Sequence, residues 1–186
     1  MRHYFRHTVF LLLAWLAFSC SANTSQTLEG IVTRIADGDT LYVLDATHNS
    51  HKVRLLGIDA PEHGQAFGEL SRQSLAGLTY LRPVSVDWRA RDIYGRILGR
   101  VRVAAPDCRQ PDCPQAFDAN LEQVRLGFAW WNKKYAHTQF PGDAAAYEAA
   151  EQRARAARAG LWVDPNPMPP WRWRYANRIG QDKVAP

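Results

Sequence analysis

Between Leu28 and Val103 the chain arranges its apolar residues in five short runs, and nothing else in the sequence limits its folds so strongly. "LEGIVTRIA", "TLYVLD" and "HKVRLLGI" are rich in β-branched residues and are separated by the turn signals "DGD" and "ATHNS". In "VSVDWRA", Val84, Val86 and Trp88 fall on one face of a strand. In "RILGRVRV", Ile97, Gly99, Val101 and Val103 point one way, while Arg96, Arg100 and Arg102 point the other. Five such strands in succession predict a small β-barrel.

Helical patterns punctuate and follow the strands. "FGELSRQSLAGLTYL" spaces Phe67, Leu70, Leu75, Leu78 and Leu81 at helical intervals. "DANLEQVRLG" offers Asp118 as N-cap and Gly127 as stop signal. "GDAAAYEAAEQRARAARAG" has Asp143 in the capping position, an alanine-rich body and Gly160 after its end. Beyond Trp162, "VDPNPMPPWRWR" is proline-rich and predicts an extended surface segment. The expected organisation is a leader over 1–22, one folded domain over 28–163 and an extended Pro/Trp/Arg-rich tail over 164–186.

The leader follows from three features in order: basic "MRHYFRHT", apolar "VFLLLAWLAF" and small-residue "SCSAN". This is a secretory pattern, and its apolar part is shorter than the roughly 20 residues of a membrane span. Cleavage after Ala22 is expected, in preference to lipidation of Cys20. Loss of Arg2 and Arg6 would lower the formal charge from +5 to +3, a mild basicity compatible with an anionic partner. With 46% hydrophobic and 11% aromatic residues, the composition excludes a disordered chain. Cys108 and Cys113, in "DCRQPDCP", then remain as a pair, which an oxidising compartment would join. Half a zinc site is the rival reading, but no second ligand pair at the right spacing completes it.

The polar residues at strand ends are Asp37 and Asp39 in "ADGDT", Arg54, Asp59 and Glu62 in "VRLLGIDAPE", and Arg96 in "RDIYGR". Carboxylates can hold a divalent cation and prepare a water, and guanidinium forks can bind a phosphate. These are the components of phosphodiester hydrolysis. Taken alone, "DGDT" is equally an ordinary hairpin turn, Arg54 and Glu62 equally a plain salt bridge, and Arg96 one more solvated arginine.

In order along the chain, "DGDT", "VRLLGIDAPE", "RDIYGR", "VRLGFAWW" and "AEQRARAARAGLW" resemble the staphylococcal (micrococcal) nuclease family. The resemblance runs from about Leu28 to Trp162. It implies an α+β fold, a five-stranded OB-type barrel with three helices, and a calcium-dependent endonuclease acting as a monomer on DNA or RNA. It assigns Asp39, Asp59 and the Ala60 carbonyl to Ca2+, with Asp37 behind them. Glu62 corresponds to the acid that handles the attacking water, and Arg54 and Arg96 to the phosphate-binding arginines. Tyr94 and Tyr135 correspond to aromatics lining the nucleotide pocket. The sequence departs from the prototype at Ala60, where a threonine is expected, and at Ile93, where a lysine is expected. The "HGQAFGEL" loop is shorter, and the cysteine pair and the tail are additions. The competing reading is a non-catalytic OB-fold nucleic-acid binder. Retention of Asp39, Arg54, Asp59, Glu62 and Arg96 together favours the enzyme.

Overall fold

The alternating runs form strands β1 (Gln26–Asp37), β2 (Thr40–Leu44), β3 (Ser50–Leu55), β5 (Pro83–Arg91) and β6 (Ile97–Val103), with the two-residue β4 (Ile58–Asp59) between β3 and β5. These belong to a computed structural model that describes residues 25–105, 107–108, 110 and 113–182. The expected leader, with Cys20, lies outside the described residues. β1 pairs antiparallel with both β2 and β5, β2 with β3, and β5 with β6. β3 then runs parallel to β6 through Val53–Ile97, Arg54–Leu98 and Leu55–Gly99, closing the five-stranded barrel. Closure satisfies the backbone groups that an open edge would expose.

Inside lie Val32, Leu41, Val43, Val53, Leu55, Val84, Val86, Ile97, Val101 and Val103, none more than 1% exposed. Each such side chain contributes roughly 1.5–3 kcal/mol by leaving water. The register turns Arg54, between buried Val53 and Leu55, to the outside. Gly99 faces inward where a Cβ would come within 2.3 Å of Val86, so only glycine fits the wall there.

Four helices cover the barrel among the described residues: α1 (Gly68–Thr79), α2 (Ala119–Arg125), α3 (Asp143–Ala156) and α4 (Pro170–Asp182). Asp118 caps α2 as expected, accepting the Leu121 N–H at 3.0 Å. Asp143 begins α3 but does not cap it; Gly142 precedes the helix and the Asp143 carboxylate binds Arg100 at 2.8 Å. The face of α1 that is buried carries Ser71, Leu75 and Thr79, whereas Leu70 and Leu81 are 49% and 64% exposed. Gly38 in the β1–β2 turn packs against Ser71 so closely that a Cβ there would lie 1.8 Å from the Ser71 Oγ, so the turn needs glycine at that position. Two short strands, β7 (Phe117–Asp118) and β8 (Trp130–Trp131), pair with β6 and β4 respectively.

The three expected helices are α1, α2 and α3, and the expected extended tail is corrected by α4. Its prolines lie before the helix or at its first position, where a missing N–H costs nothing. The N–H groups of Arg172 and Trp173 bond the Pro169 carbonyl and start the first turn. Cys108 and Cys113 are disulfide-bonded with Cα atoms 6.0 Å apart. Among the described residues no helix is long and apolar enough to cross a membrane.

Candidate active site

The turn between β1 and β2 begins the site. Asp37 accepts the Asp39 N–H at 3.0 Å and tightens the turn. This directs Asp39, only 2% exposed, towards the loop after β4, where its Oδ2 accepts the Ala60 N–H at 2.7 Å. The Thr40 hydroxyl donates to Asp39 Oδ1 at 3.1 Å. Behind the turn, the fully buried Gln123 of α2 donates to the carbonyls of Gly38 at 2.8 Å and Ser71 at 3.0 Å. Asn120, also fully buried, donates to the carbonyls of Leu56 and Gly99 and accepts from Val101, each at 3.0 Å. These two amides tie the site loops to α1, α2 and β6. Sequence reasoning missed both; the only available signal was a polar residue on the inner face of a short helix.

Arg54 joins the acids. Its guanidinium donates to Asp39 Oδ1 and, at 2.8 Å, to Asp59 Oδ1. Asp59 is 1% exposed and sits on β4, opposite Trp130. Burial drives the Asp39 carboxyl up to about 8; the Arg54 charge opposes this, and Asp37 and Asp59 reinforce it. Burial together with two neighbouring carboxylates outweighs the one guanidinium that Asp39 shares with Asp59.

A second arginine shares Asp59 and adds Glu62. Arg174 of α4 donates to Asp59 Oδ1 at 3.1 Å, to Asp59 Oδ2 at 2.8 Å, and to Glu62 Oε1. The expected alternative partner of Arg54, Glu62, therefore pairs with Arg174 instead. The extended tail that the prolines predict would leave Arg174 out of the site; the helical tail brings it in. Glu62 is positioned by its backbone, whose N–H donates to Gln65 Oε1 at 3.0 Å, while Gln65 Nε2 reaches the Met168 carbonyl at 2.5 Å.

Arg96 and Tyr94 lie on the β5–β6 turn, apart from the acid cluster but lining the same cleft. Asp92 organises that turn by accepting the N–H groups of Tyr94 and Arg96, each at 2.9 Å, and the Arg96 Nε at 2.6 Å. Burial would raise the Asp92 carboxyl, but these donors outweigh it and hold it below its ordinary value. Tyr135 lines the cleft too. Trp130 and Trp131 are core residues, 4% and 8% exposed, and His51 pairs with Asp45 at 2.7 Å in the β2–β3 turn.

The cleft has a volume of about 1200 Å³, above the ~300–1,000 Å³ of pockets for small ligands. The groups there that could hold a cation are the oxygens of the Asp39 and Asp59 carboxylates. That set fits a hard divalent ion. Among the described residues no three His, Cys, Asp or Glu side chains form a cage, so main-chain oxygen and water would complete the shell.

Comparison with known proteins agrees with this geometry. The family model described as staphylococcal nuclease homologue matches residues 52–164. Protein ParB of Escherichia coli is 44% identical over 158 residues, 84% of each chain. Micrococcal nuclease of Shigella flexneri is 45% identical over 150 residues, 81% of this chain and 82% of its own. An uncharacterized endonuclease of Haemophilus influenzae is 37% identical over 169 residues, 91% of this chain and 84% of its own.

Proposed function

The chain belongs to the staphylococcal nuclease homologue family, and on that premise we propose that it is an exported, calcium-dependent, monomeric endonuclease of DNA or RNA. The observation that carries the reading is the bridge from Arg54 to both Asp39 and Asp59. One cationic fork and two buried carboxylates at a single point are what a phosphodiester and its counter-cation require. Export is supported by the three-part leader and by the Cys108–Cys113 bond.

In this reading Asp39, Asp59 and the Ala60 carbonyl hold the calcium ion, with Asp37 fixing the turn behind them. A bound calcium ion would polarise the phosphate and offset its charge. Glu62, 35% exposed at its side chain, has access to water and takes a proton from the one that attacks phosphorus. One P–O ester bond breaks as the new P–O bond forms, and the departing oxygen is protonated from solvent. Arg54 and Arg96 bind non-bridging oxygens and hold the charge that accumulates in the transition state. Tyr94 and Tyr135 offer aromatic faces to the flanking nucleotides.

The test is cleavage of single- and double-stranded DNA and RNA by the exported chain, with calcium and then with excess chelator. Cleavage that the chelator abolishes is expected. Undiminished cleavage in chelator would remove the calcium assignment, and binding without cleavage under every condition would identify a non-catalytic binder.

A further inference from the structure

Helix α4 lies wholly beyond the family match at 52–164, yet it forms one side of the cleft. Trp173, Arg174, Asn177 and Arg178 line that side, at positions i, i+1, i+4 and i+5 of one helical face. Trp171, on another part of the helix, packs edge-on against Trp130 with ring centroids 6.3 Å apart. Trp130 in turn packs on Trp162 at 5.3 Å. With the Gln65 bond to Met168 and the Arg174 contacts to Asp59 and Glu62, these hold α4 against the body of the protein. The cleft face therefore has a defined position: Arg174 anchors it to the acids, while Asn177 and Arg178 stay exposed.

The chemistry of that face is cationic and aromatic. From Pro170 to Ile179 the helix carries Arg172, Arg174 and Arg178 and no acid. The cleft is lined by five carboxylates and, from the barrel and its loops, three arginines; α4 supplies two more. Without α4 a polyanion would meet a net negative cleft, and α4 removes that excess. Elsewhere in the lining, Tyr94 is 78% exposed and Arg96 stands beside it. Cations and aromatics lining one cleft are suited to a strand whose bases are unpaired and free to stack. A duplex keeps its bases stacked inside and presents only phosphates.

We propose that α4 is a substrate-binding wall for single-stranded nucleic acid, with Trp173 stacking on a base and Arg178 binding a phosphate beside the scissile one. This rests on the nuclease reading of the cleft and adds to it the residues that select an unpaired strand.

The experiment is fluorescence anisotropy of a labelled single-stranded oligonucleotide of about ten nucleotides, within the 4–16 an OB-fold covers, against a hairpin duplex. It uses the exported chain in chelator, so that binding is read without turnover. Trp173→Ala should weaken single-strand binding roughly five- to hundredfold. Arg178→Ala, a change at an exposed residue that leaves the core intact, should reduce the slope of log K against log salt by about 0.7. Duplex binding should change little in either variant. If both variants bind the single strand as wild type does, α4 is a bystander and the proposal fails. If they bind it more tightly, α4 is a lid that excludes substrate, and the proposal is again overturned. A wild type that binds and, with calcium, cleaves confines either failure to α4. A wild type that does neither removes the nuclease reading itself.

Discussion

Arg174 donates to both carboxylate oxygens of Asp59, at 3.1 and 2.8 Å, from a position 115 residues further along the chain. The guanidinium thus holds the oxygens that the proposed cation would use. Arg174→Ala should tighten calcium binding by about tenfold, since a charged hydrogen bond at a partly exposed site is worth about 1.4 kcal/mol. Calorimetric titration of both proteins measures this directly. Equal or weaker affinity in the variant would show that ion and arginine do not compete.

Asp39 predicts a pH dependence. Its folded-state carboxyl is raised to about 8, above the ordinary carboxylate value near 3.9, chiefly by burial. A raised group favours the folded state fully at low pH and loses that contribution as pH rises through the folded value. In chelator, stability should therefore fall from about pH 4 towards pH 8. Asp39→Asn should flatten that fall and raise the melting temperature at pH 8 by a few degrees, on the order of 1–2 kcal/mol. Calcium should stabilise the wild type and leave Asp39→Asn unmoved. Thermal melts across pH, with and without calcium, decide the matter; a wild type more stable at pH 8 than at pH 5 in chelator contradicts it.

Arg96 tests the transition-state role. Arg96→Ala should lower turnover several hundredfold, about 3–4 kcal/mol of barrier, while changing affinity for uncleaved strand much less. Arg96→Lys should not rescue it, because a point charge cannot make the forked contact. The loss of the Arg96–Asp92 pair should cost the fold under about 1 kcal/mol, since backbone N–H groups still organise Asp92. Turnover within a few-fold of wild type would make Arg96 a bystander.

The disulfide is expected to be structural. Thiol labelling of the exported protein should find neither Cys108 nor Cys113. Closing so small a ring contributes roughly 2 kcal/mol on the loop-entropy account, so reduction should lower the denaturant midpoint modestly. Turnover should not change, because neither cysteine lines the cleft. Two reactive thiols in the native protein would rule the bond out.

Gln123 tests the support behind the turn. Gln123→Leu removes the amide bonds to the Gly38 and Ser71 carbonyls and to the Ser74 hydroxyl. With the buried Gly38 carbonyl bearing most of the loss, this should cost about 1–3 kcal/mol, read as a lower denaturant midpoint. Calcium affinity should fall with it, as the "DGDT" turn loses its anchor. A midpoint within about 0.5 kcal/mol of wild type would show the amide to be dispensable.

The barrel was legible in the sequence because strand periodicity is a local property: Val53 and Leu55 had to face inward, and Arg54 between them outward. The same logic located Asp39, Asp59 and Glu62 at strand ends, and Asp118 at its cap. What the sequence could not display was distance between residues remote in the chain. The bond from Asp39 to the Ala60 N–H spans 21 residues, and that from Gln123 to the Gly38 carbonyl spans 85. Neither leaves a local pattern. The tail was misread for a related reason. Its prolines argue locally against helix, yet their positions before and at the first turn cost nothing. The Trp171–Trp130 contact and the pairing of Arg174 with buried acids then stabilise a helix too short to persist alone. Local periodicity determined the barrel and the identity of its polar strand ends; only tertiary packing could decide which charges meet, because the desolvation that makes such pairings decisive exists nowhere in the unfolded chain.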